Sequence, residues 1–286
     1  MKKIGVFGGS GFLANHISEK LTNEGYDVTI IDLVKPKNLL KKQKFINANI
    51  LDKKKITKIL NKINVVYHFA GIADIDKANK FQFLSLNTNI LGTINIMEAC
   101  IHNKVKKIIF ASSVYALSEK GGFYSTSKLT SEMIIEQYSN KYNIKYNILR
   151  FGSLYGLRSN YFNSLGKYVS QAKKNKKIIR YSDGNETRNY INVLDAANLC
   201  IQILKKKYEN KYFNLIGSKE FKVKNVLKKI AKLSKIKNII YKKKIYEHHY
   251  KINPYTYKLR GGISLKPKKE INIEEGIKQI INETDI

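Results

Sequence analysis

The chain has 286 residues, 43% of them hydrophobic and 26% charged, enough for one large core or a core with a smaller dependent lobe. No apolar run reaches the roughly 18 residues that span a bilayer, so no membrane insertion is expected and the protein is read as cytoplasmic. The formal charge of +31 comes from lysines spread along the whole length, with no basic tail, zinc-finger spacing or aromatic RNA-binding strand; it reads as a composition bias that suits an anionic small substrate, not as a nucleic-acid interface.

Met1 to Gly8 begin like a signal peptide but run straight into a glycine turn, so residues 3–7 are predicted as a first strand. Leu13, Ile17 and Leu21 recur at helical spacing up to the stop at Glu24-Gly25. Residues 27–31 form a second strand closed by Asp32, residues 45–50 a third, and 52–61 a lysine-rich helix. Val65 to Gly71 give a fourth strand with a small-residue exit. A helix over 88–103, a fifth strand from Lys107 ending in Ser112-Ser113, a helix over 124–141 and a sixth strand from Asn143 to Phe151 follow. Strands alternating with helices predict an α/β fold: a Rossmann-type, doubly wound parallel sheet. After Gly156 the rhythm breaks. Helices are expected over 162–176, 193–207, 222–234 and 273–281, with strands over 177–181 and 212–216 and little periodicity over 240–269. Residues 1–156 are therefore read as a dinucleotide-binding domain that also receives 185–205, and 157–286 mainly as a small substrate-binding lobe.

Cys100 and Cys200 sit in apolar helix-like runs and read as buried thiols. The five histidines form no metal-ligand pattern, and His248-His249 has no third ligand nearby, so no metal is expected.

Gly8 permits a tight turn, Gly11 lets a helix backbone approach a pyrophosphate, and Ala14 lets that helix pack close to its strand. The backbone of Phe12 and Leu13, at the helix start, offers amides and a positive dipole end to phosphates. Asp32, at the end of the next strand, is placed to accept both adenosine ribose hydroxyls and to repel a 2′-phosphate. NAD is thus favoured over NADP, with Lys35 and Lys37 close enough to soften the repulsion. Asn49 and Ile50 end the third strand and would flank the adenine. Phe69, Ala70 and Gly71 give the backbone path beside the cofactor.

Ser113 stands just beyond the fifth strand, Tyr124 opens a helix, and Lys128 lies one turn later on the same face. A tyrosine near its free pKa of roughly 10 is a poor base at neutral pH, and a neighbouring ammonium favours its phenolate. Tyr124 would then exchange a proton with a substrate hydroxyl, Ser113 would hold the same oxygen, and Lys128 would also bind the nicotinamide ribose. Only five arginines occur, and four of them, Arg150, Arg158, Arg180 and Arg188, fall within 150–188. Phosphate binding by a planar fork is one use for them; structural ion pairs are the other.

With these residues in place, the sequence resembles the extended short-chain dehydrogenase/reductase family, in its NAD-dependent nucleotide-sugar epimerase/dehydratase branch. The resemblance rests on Gly8, Gly11 and Ala14; on Asn89-Ile90-Leu91-Gly92-Thr93; on Phe110 to Ser113; and on Tyr124, Lys128 and Glu132. It continues through Leu149 to Gly156, Gly184 to Asp195 and Phe213 to Gly217. It implies a nucleotide-sugar substrate, with Arg188 on the phosphates, Ser153 towards the substrate at a position where epimerases often have an asparagine, and Asn89 steadying the active-site helix. It also implies a homodimer through helices 88–103 and 124–141, whose apolar face Ile94-Met97-Ile101 suits either a dimer or burial, and a place in polysaccharide assembly.

Two departures narrow the resemblance. Where the family's 4,6-dehydratases carry an acidic pair, this chain has Val114 and Tyr115, so a dehydratase is not expected. The loop between Ser118 and Tyr124 is also shorter than in the family. The expected function is epimerisation of a nucleoside-diphosphate sugar by transient C4 oxidation with tightly bound NAD. The alternatives are an NAD(P)H-dependent reductase of a nucleotide-linked 4-keto sugar, and a catalytically silent dinucleotide-binding scaffold.

Overall fold

Strand β1 (Lys3–Phe7) is the hub of the central sheet, with four of its five residues buried. It pairs in parallel with β2 (Asp27–Asp32) on one side and with β4 (Val65–His68) on the other. The computed structural model describes residues 2–159, 163–242 and 263–283. Beyond β2 lies β3 (Lys44–Asn47); beyond β4 lie β5 (Lys107–Ser113), β6 (Lys145–Phe151), β10 (Lys211–Leu215) and β13 (Ile263–Leu265). The order β13-β10-β6-β5-β4-β1-β2-β3 makes an eight-stranded sheet in which every pairing is parallel. Such a sheet is covered on both faces, which is why its strands are nearly continuous apolar runs.

Helices α1 (Phe12–Asn23) and α8 (Val193–Gln202) cover one face through Ile17, Leu21, Leu199 and Cys200. Helices α2 (Lys53–Ile59), α5 (Gly92–His102) and α6 (Phe123–Tyr142) cover the other through Ile56, Met97, Cys100 and Ile135. The strand order reverses between β1 and β4, and the crevice at that switch point, at the strands' carboxyl ends, is where such sheets hold ligands.

A separate apolar cluster joins α7 (Ser164–Asn175), α9 (Val223–Leu233) and α10 (Ile273–Glu283) through Val169, Leu227, Ile230 and Ile277. A small sheet of β7 (Ser153–Tyr155), β9 (Thr187–Asn192) and β11 (Glu220–Lys222), and a parallel pair of β8 (Lys177–Arg180) with β12 (Asn238–Tyr241), complete this part. The chain then returns to the main sheet. Tyr67 Oη donates to the carbonyl of Cys200 at 2.9 Å, and Lys107 Nζ to that of Ile203 at 2.7 Å.

Several elements differ from their sequence expectation. The helix expected over 88–103 is preceded by two short ones, α3 (Ile75–Lys80) and α4 (Gln82–Leu86), and opens with a π-helical turn over Asn87–Leu91. There the Asn89 carbonyl accepts from Thr93 Oγ1 at 2.6 Å and Ser131 Oγ at 3.1 Å. Hydroxyls competing for a ladder carbonyl favour such irregularity, and apolar periodicity carries no trace of it. Strand β3 stops at Asn47, not 50, because the Asn49 side chain accepts from Leu51 N at 3.0 Å and turns the chain. Helix α8 stops at Gln202, not 207, where the Ile203 carbonyl is taken by Lys107. Strands β7, β9, β11 and β12 are too short or too polar to show alternation. The His248-His249 pair and Arg260 lie outside the described residues, as do residue 162 and most of 240–269. Among the described residues no helix is long and apolar enough to cross a membrane, and no group of His, Cys, Asp and Glu could hold a metal.

One buried ion pair ties α6 to β6. Arg150 donates from Nε and Nη2 to the two oxygens of Glu132 at 3.0 and 2.7 Å, Ser112 Oγ donates to the same carboxylate, and Tyr212 lies 4.5 Å under the guanidinium. Both ions are fully buried, so removing one strands the other. Glu132→Ala should destabilise the fold by about 3–5 kcal/mol, and Glu132→Leu with Arg150→Met should recover most of that loss. Urea unfolding midpoints of the three proteins test this.

Candidate active site

The glycine turn is shaped by close approach. Gly8 has φ +75° and donates from N to Ile31 O at 2.8 Å; a Cβ here would stand 2.5 Å from the amide nitrogen of Ala70. Gly11 caps α1, which has no side-chain cap and no acid in its first turn. Its first amides, those of Phe12 and Leu13, are therefore left for an anion. The Leu13 side chain is buried in the core and that of Phe12 is half-buried, so their backbone is what they offer a phosphate.

Asp32 ends β2 beside this turn. Its Oδ2 accepts from Ser10 N at 3.0 Å and its Oδ1 from Leu33 N at 2.7 Å, which fixes the carboxylate at the rim. Leu33 and Val34 beside it are 60% and 67% exposed, an apolar ledge for a planar base. Asn49 is exposed, whereas Ile50 is buried against Gly92, and its carbonyl accepts from Asn95 Nδ2 at 3.0 Å. The Ile50 side chain therefore faces the core. Phe69 and Ala70 follow β4 against Gly8, and Gly71 has φ +147°, where a Cβ would stand 2.6 Å from Asn89 Oδ1. The cradle built by Gly8, Gly11 and Gly71, with an unshielded helix start and a carboxylate at its rim, fits a dinucleotide.

Beyond β5 the reactive side chains converge. Tyr124 is buried with the Ser113 hydroxyl near its phenol, and Ser113 Oγ accepts from Tyr115 N at 3.2 Å. Burial raises the Tyr124 phenol above its ordinary value, and the Ser113 hydrogen bond offsets part of that rise. Lys128, also buried, donates from Nζ to Ala111 O at 2.9 Å and lies 4.9 Å from the Phe110 ring centre and 6.0 Å from that of Tyr124. Burial lowers it to about 8, against the pull of Glu132. At neutral pH the phenol holds its proton and the lysine keeps its charge.

Behind this set runs a polar network that sequence reasoning reached only at Asn89. Asn89 accepts from Ile72 N at 2.7 Å and donates to Ser127 Oγ at 2.9 Å, joining the Gly71 turn to the catalytic helix. His68 Nε2 meets Thr93 Oγ1 at 2.9 Å, and the Thr93 hydroxyl donates onward to Asn89 O, so the imidazole is the donor. Burial, with Lys128 nearby, lowers His68 to about 3, so it stays neutral. The signal that could have revealed the network is the run of small hydroxyl residues Ser127 and Ser131 four apart on α6, facing Thr93.

Three of the four clustered arginines take the structural use. Arg150 pairs with Glu132, Arg158 with Glu19, and Arg180 with Glu186. Arg188 lies on β9, half-buried, and donates from Nη1 to Thr187 O at 2.7 Å. Ser153 sits on β7, opposite Tyr190 of β9, so the small sheet holds Ser153 and Arg188 on adjacent strands.

A parallel sheet with a glycine turn at its switch point, followed by a buried Ser–Tyr–Lys set, defines the short-chain dehydrogenase/reductase type of dinucleotide fold. Residues 4–216 match the NAD dependent epimerase/dehydratase family, and the chain belongs to that family. A Methanocaldococcus jannaschii protein, provisionally named a UDP-glucose 4-epimerase, is 31% identical over 300 residues, covering 97% of this chain and 96% of its own. The UDP-N-acetyl-α-D-glucosaminuronate decarboxylase of Bacillus cytotoxicus is 27% identical over 98% of this chain and 97% of its own. Among solved structures, the UDP-glucuronic acid 4-epimerase of Bacillus cereus, in complex with UDP-glucuronic acid and NAD, superposes with a TM-score of 0.87 at 23% identity, covering 99% of both chains.

If Tyr124 acts as a phenolate beside a charged Lys128, turnover should rise with pH up to about 8, where Lys128 titrates, and fall only where the phenol itself titrates, above its ordinary value. Tyr124→Phe should lower turnover at least ~100-fold and remove the rising limb, with NAD affinity unchanged. Steady-state pH profiles and a fluorescence titration with NAD check both parts.

Proposed function

We propose that the protein is an NAD-dependent 4-epimerase of a nucleoside-diphosphate sugar. The observation that carries this reading is the buried set of Ser113, Tyr124 and Lys128, with the lysine Nζ 6.0 Å from the tyrosine ring centre. The family, and a relative 31% identical along nearly the whole chain that is provisionally named as such an epimerase, support it.

When bound, NAD would supply a reversible hydride acceptor and a positive ring charge. Tyr124 takes the proton of the 4-hydroxyl as C4 is oxidised and returns it when the 4-keto sugar is reduced on its other face. Ser113 donates to the same oxygen and holds it in place. Lys128 stabilises the phenolate and, from its place beside Tyr124, reaches the ribose of the cofactor. Asp32 holds the adenosine ribose, and the glycine turn holds the pyrophosphate. The part of the chain built mainly from 157–286 holds the nucleotide, with Arg188 on the phosphates and Ser153 towards the sugar. The burial of Tyr124 under Ala78, Val114 and Tyr115 supports epimerisation over water elimination: apolar side chains occupy the two positions where a dehydratase needs acids.

Purified protein incubated with UDP-glucose, UDP-N-acetylglucosamine, UDP-glucuronic acid and 4-keto sugar nucleotides decides the matter. The 4-epimer should appear with no net change in NADH absorbance. Stoichiometric consumption of NADH or NADPH would make the protein a reductase, release of carbon dioxide a decarboxylase, and inertness a binding scaffold. Arg188→Ala should raise KM for the reacting nucleotide sugar at least ~10-fold, the scale of a lost charge-assisted phosphate contact, and leave NAD affinity unchanged. Equal activity on the free sugar would reject that role.

A homodimer fits the surface of the same region. Phe83 is 83% exposed, and Phe81, Leu84, Leu91, Phe123 and Met133 are also exposed on α4, the π turn and α6. A dimer through this region would draw on them and not on Met97, which is fully buried in the core. Sedimentation equilibrium should give a dimer, and Phe83→Asp should shift it towards monomer.

A further inference from the structure

The short stretch before Tyr124 has a structural consequence of its own. Helix α6 begins at Phe123 after Gly121 and Gly122, both at positive φ (99° and 54°), and Gly122 supplies no side-chain cap. Two glycines of this kind leave a helix start conformationally loose unless something outside the helix holds it. That something is Asn79 of α3. Its Oδ1 accepts from Phe123 N at 3.0 Å, and its Nδ2 donates to Gly121 O at 3.0 Å. Nδ2 also donates to Ile75 O at 2.8 Å, one turn back on α3. One oxygen facing an N–H and one nitrogen facing two carbonyls leave a single way to orient the amide. The side chain therefore clamps the backbone on both sides of Gly122 and supplies, from another element, the cap that α6 lacks.

The residue after the clamp is Tyr124. The same helix α3 lays Ala78, fully buried, into the cluster of Val114, Tyr115 and Tyr124, with Ile75 packed against it. Tyr115 meets the Tyr124 ring edge-on at 6.3 Å between centres, and Ser125 Oγ donates to Tyr115 O at 2.5 Å. Helix α3 thus fixes Tyr124 twice, by ring packing through Ala78 and by backbone hydrogen bonds through Asn79.

The geometry points to Asn79 as a positioning residue that sets the Tyr124 hydroxyl against Ser113, in the place a longer loop would otherwise occupy. This rests on the acid/base reading of Tyr124. Asn79 touches neither substrate nor cofactor; it acts by holding the start of α6. A displacement of about 1 Å at a reacting group can cost on the order of 100-fold in rate, so loss of the clamp should appear in kcat and not in binding.

The test compares Asn79→Ala and Asn79→Asp with the wild type. Asn79→Ala should speed amide hydrogen exchange at Phe123 and lower kcat about tenfold or more on the panel sugar that the wild type converts, with KM and NAD affinity within about twofold. Asn79→Asp keeps the oxygen that accepts from Phe123 N but sets its other oxygen against the carbonyls of Gly121 and Ile75, and should give exchange protection between those of the wild type and Asn79→Ala. Wild-type kcat in Asn79→Ala would overturn the inference, as would a loss of activity that tracks lost NAD affinity or a lowered Tm, since the residue would then serve stability alone. If Tyr124→Phe itself remained active, the reading beneath would fail instead, which separates the two failures.

Discussion

Helix α6 buries a face made almost entirely of polar side chains: Tyr124, Ser125, Ser127, Lys128, Ser131, Glu132 and Ser139. Groups of this kind cost several kcal/mol each in a core unless they are paired. Much of the architecture on that side of the sheet consists of the partners. Ala111 supplies a carbonyl to Lys128, Arg150 a guanidinium to Glu132, Asn89 an amide and a carbonyl to Ser127 and Ser131, and Ile144 a carbonyl to Ser139. The reactive set is an extension of this pairing, and its precision comes from the same contacts that make the burial tolerable.

The pairing also decides the resting ionisation of the site. Burial acts in opposite senses on the two central groups, raising the Tyr124 phenol and lowering the Lys128 ammonium to about 8. Each is driven towards its neutral form, so the free site rests with a protonated phenol, and forming the phenolate needs a further positive charge beside it. Glu132 opposes this at Lys128, and the Ser113 hydroxyl opposes it at Tyr124. The buried Arg150 in turn holds Glu132 in position, which links a structural ion pair to the charge state of the reactive lysine.

Short helices and polar contacts shape the surroundings of Tyr124. Val114, Tyr115 and Ala78 pack around Tyr124 in one buried cluster. Helix α3, only six residues long, supplies both packing and a cap to the start of α6. Its polar sequence Ile75-Asp-Lys-Ala-Asn-Lys80 shows no amphipathic signal. An isolated helix of that length is not stable, so it exists because the tertiary fold gives it something to hold.

By itself the sequence determined the parallel sheet, the glycine turn with Asp32, and the Ser113, Tyr124 and Lys128 spacing, because each depends on local periodicity or on residues a few positions apart. The boundaries of β3 and α8, the π turn at Asn89 and the strands β7, β9 and β11 were decided by partners far along the chain, such as Lys107 on Ile203. The arginines show the division most plainly. Their clustering was legible, but whether a guanidinium meets a phosphate or a carboxylate depends on which acid the fold brings beside it. Glu132, Glu19 and Glu186 claimed three, and none of those pairings shows in the spacing of the arginines themselves.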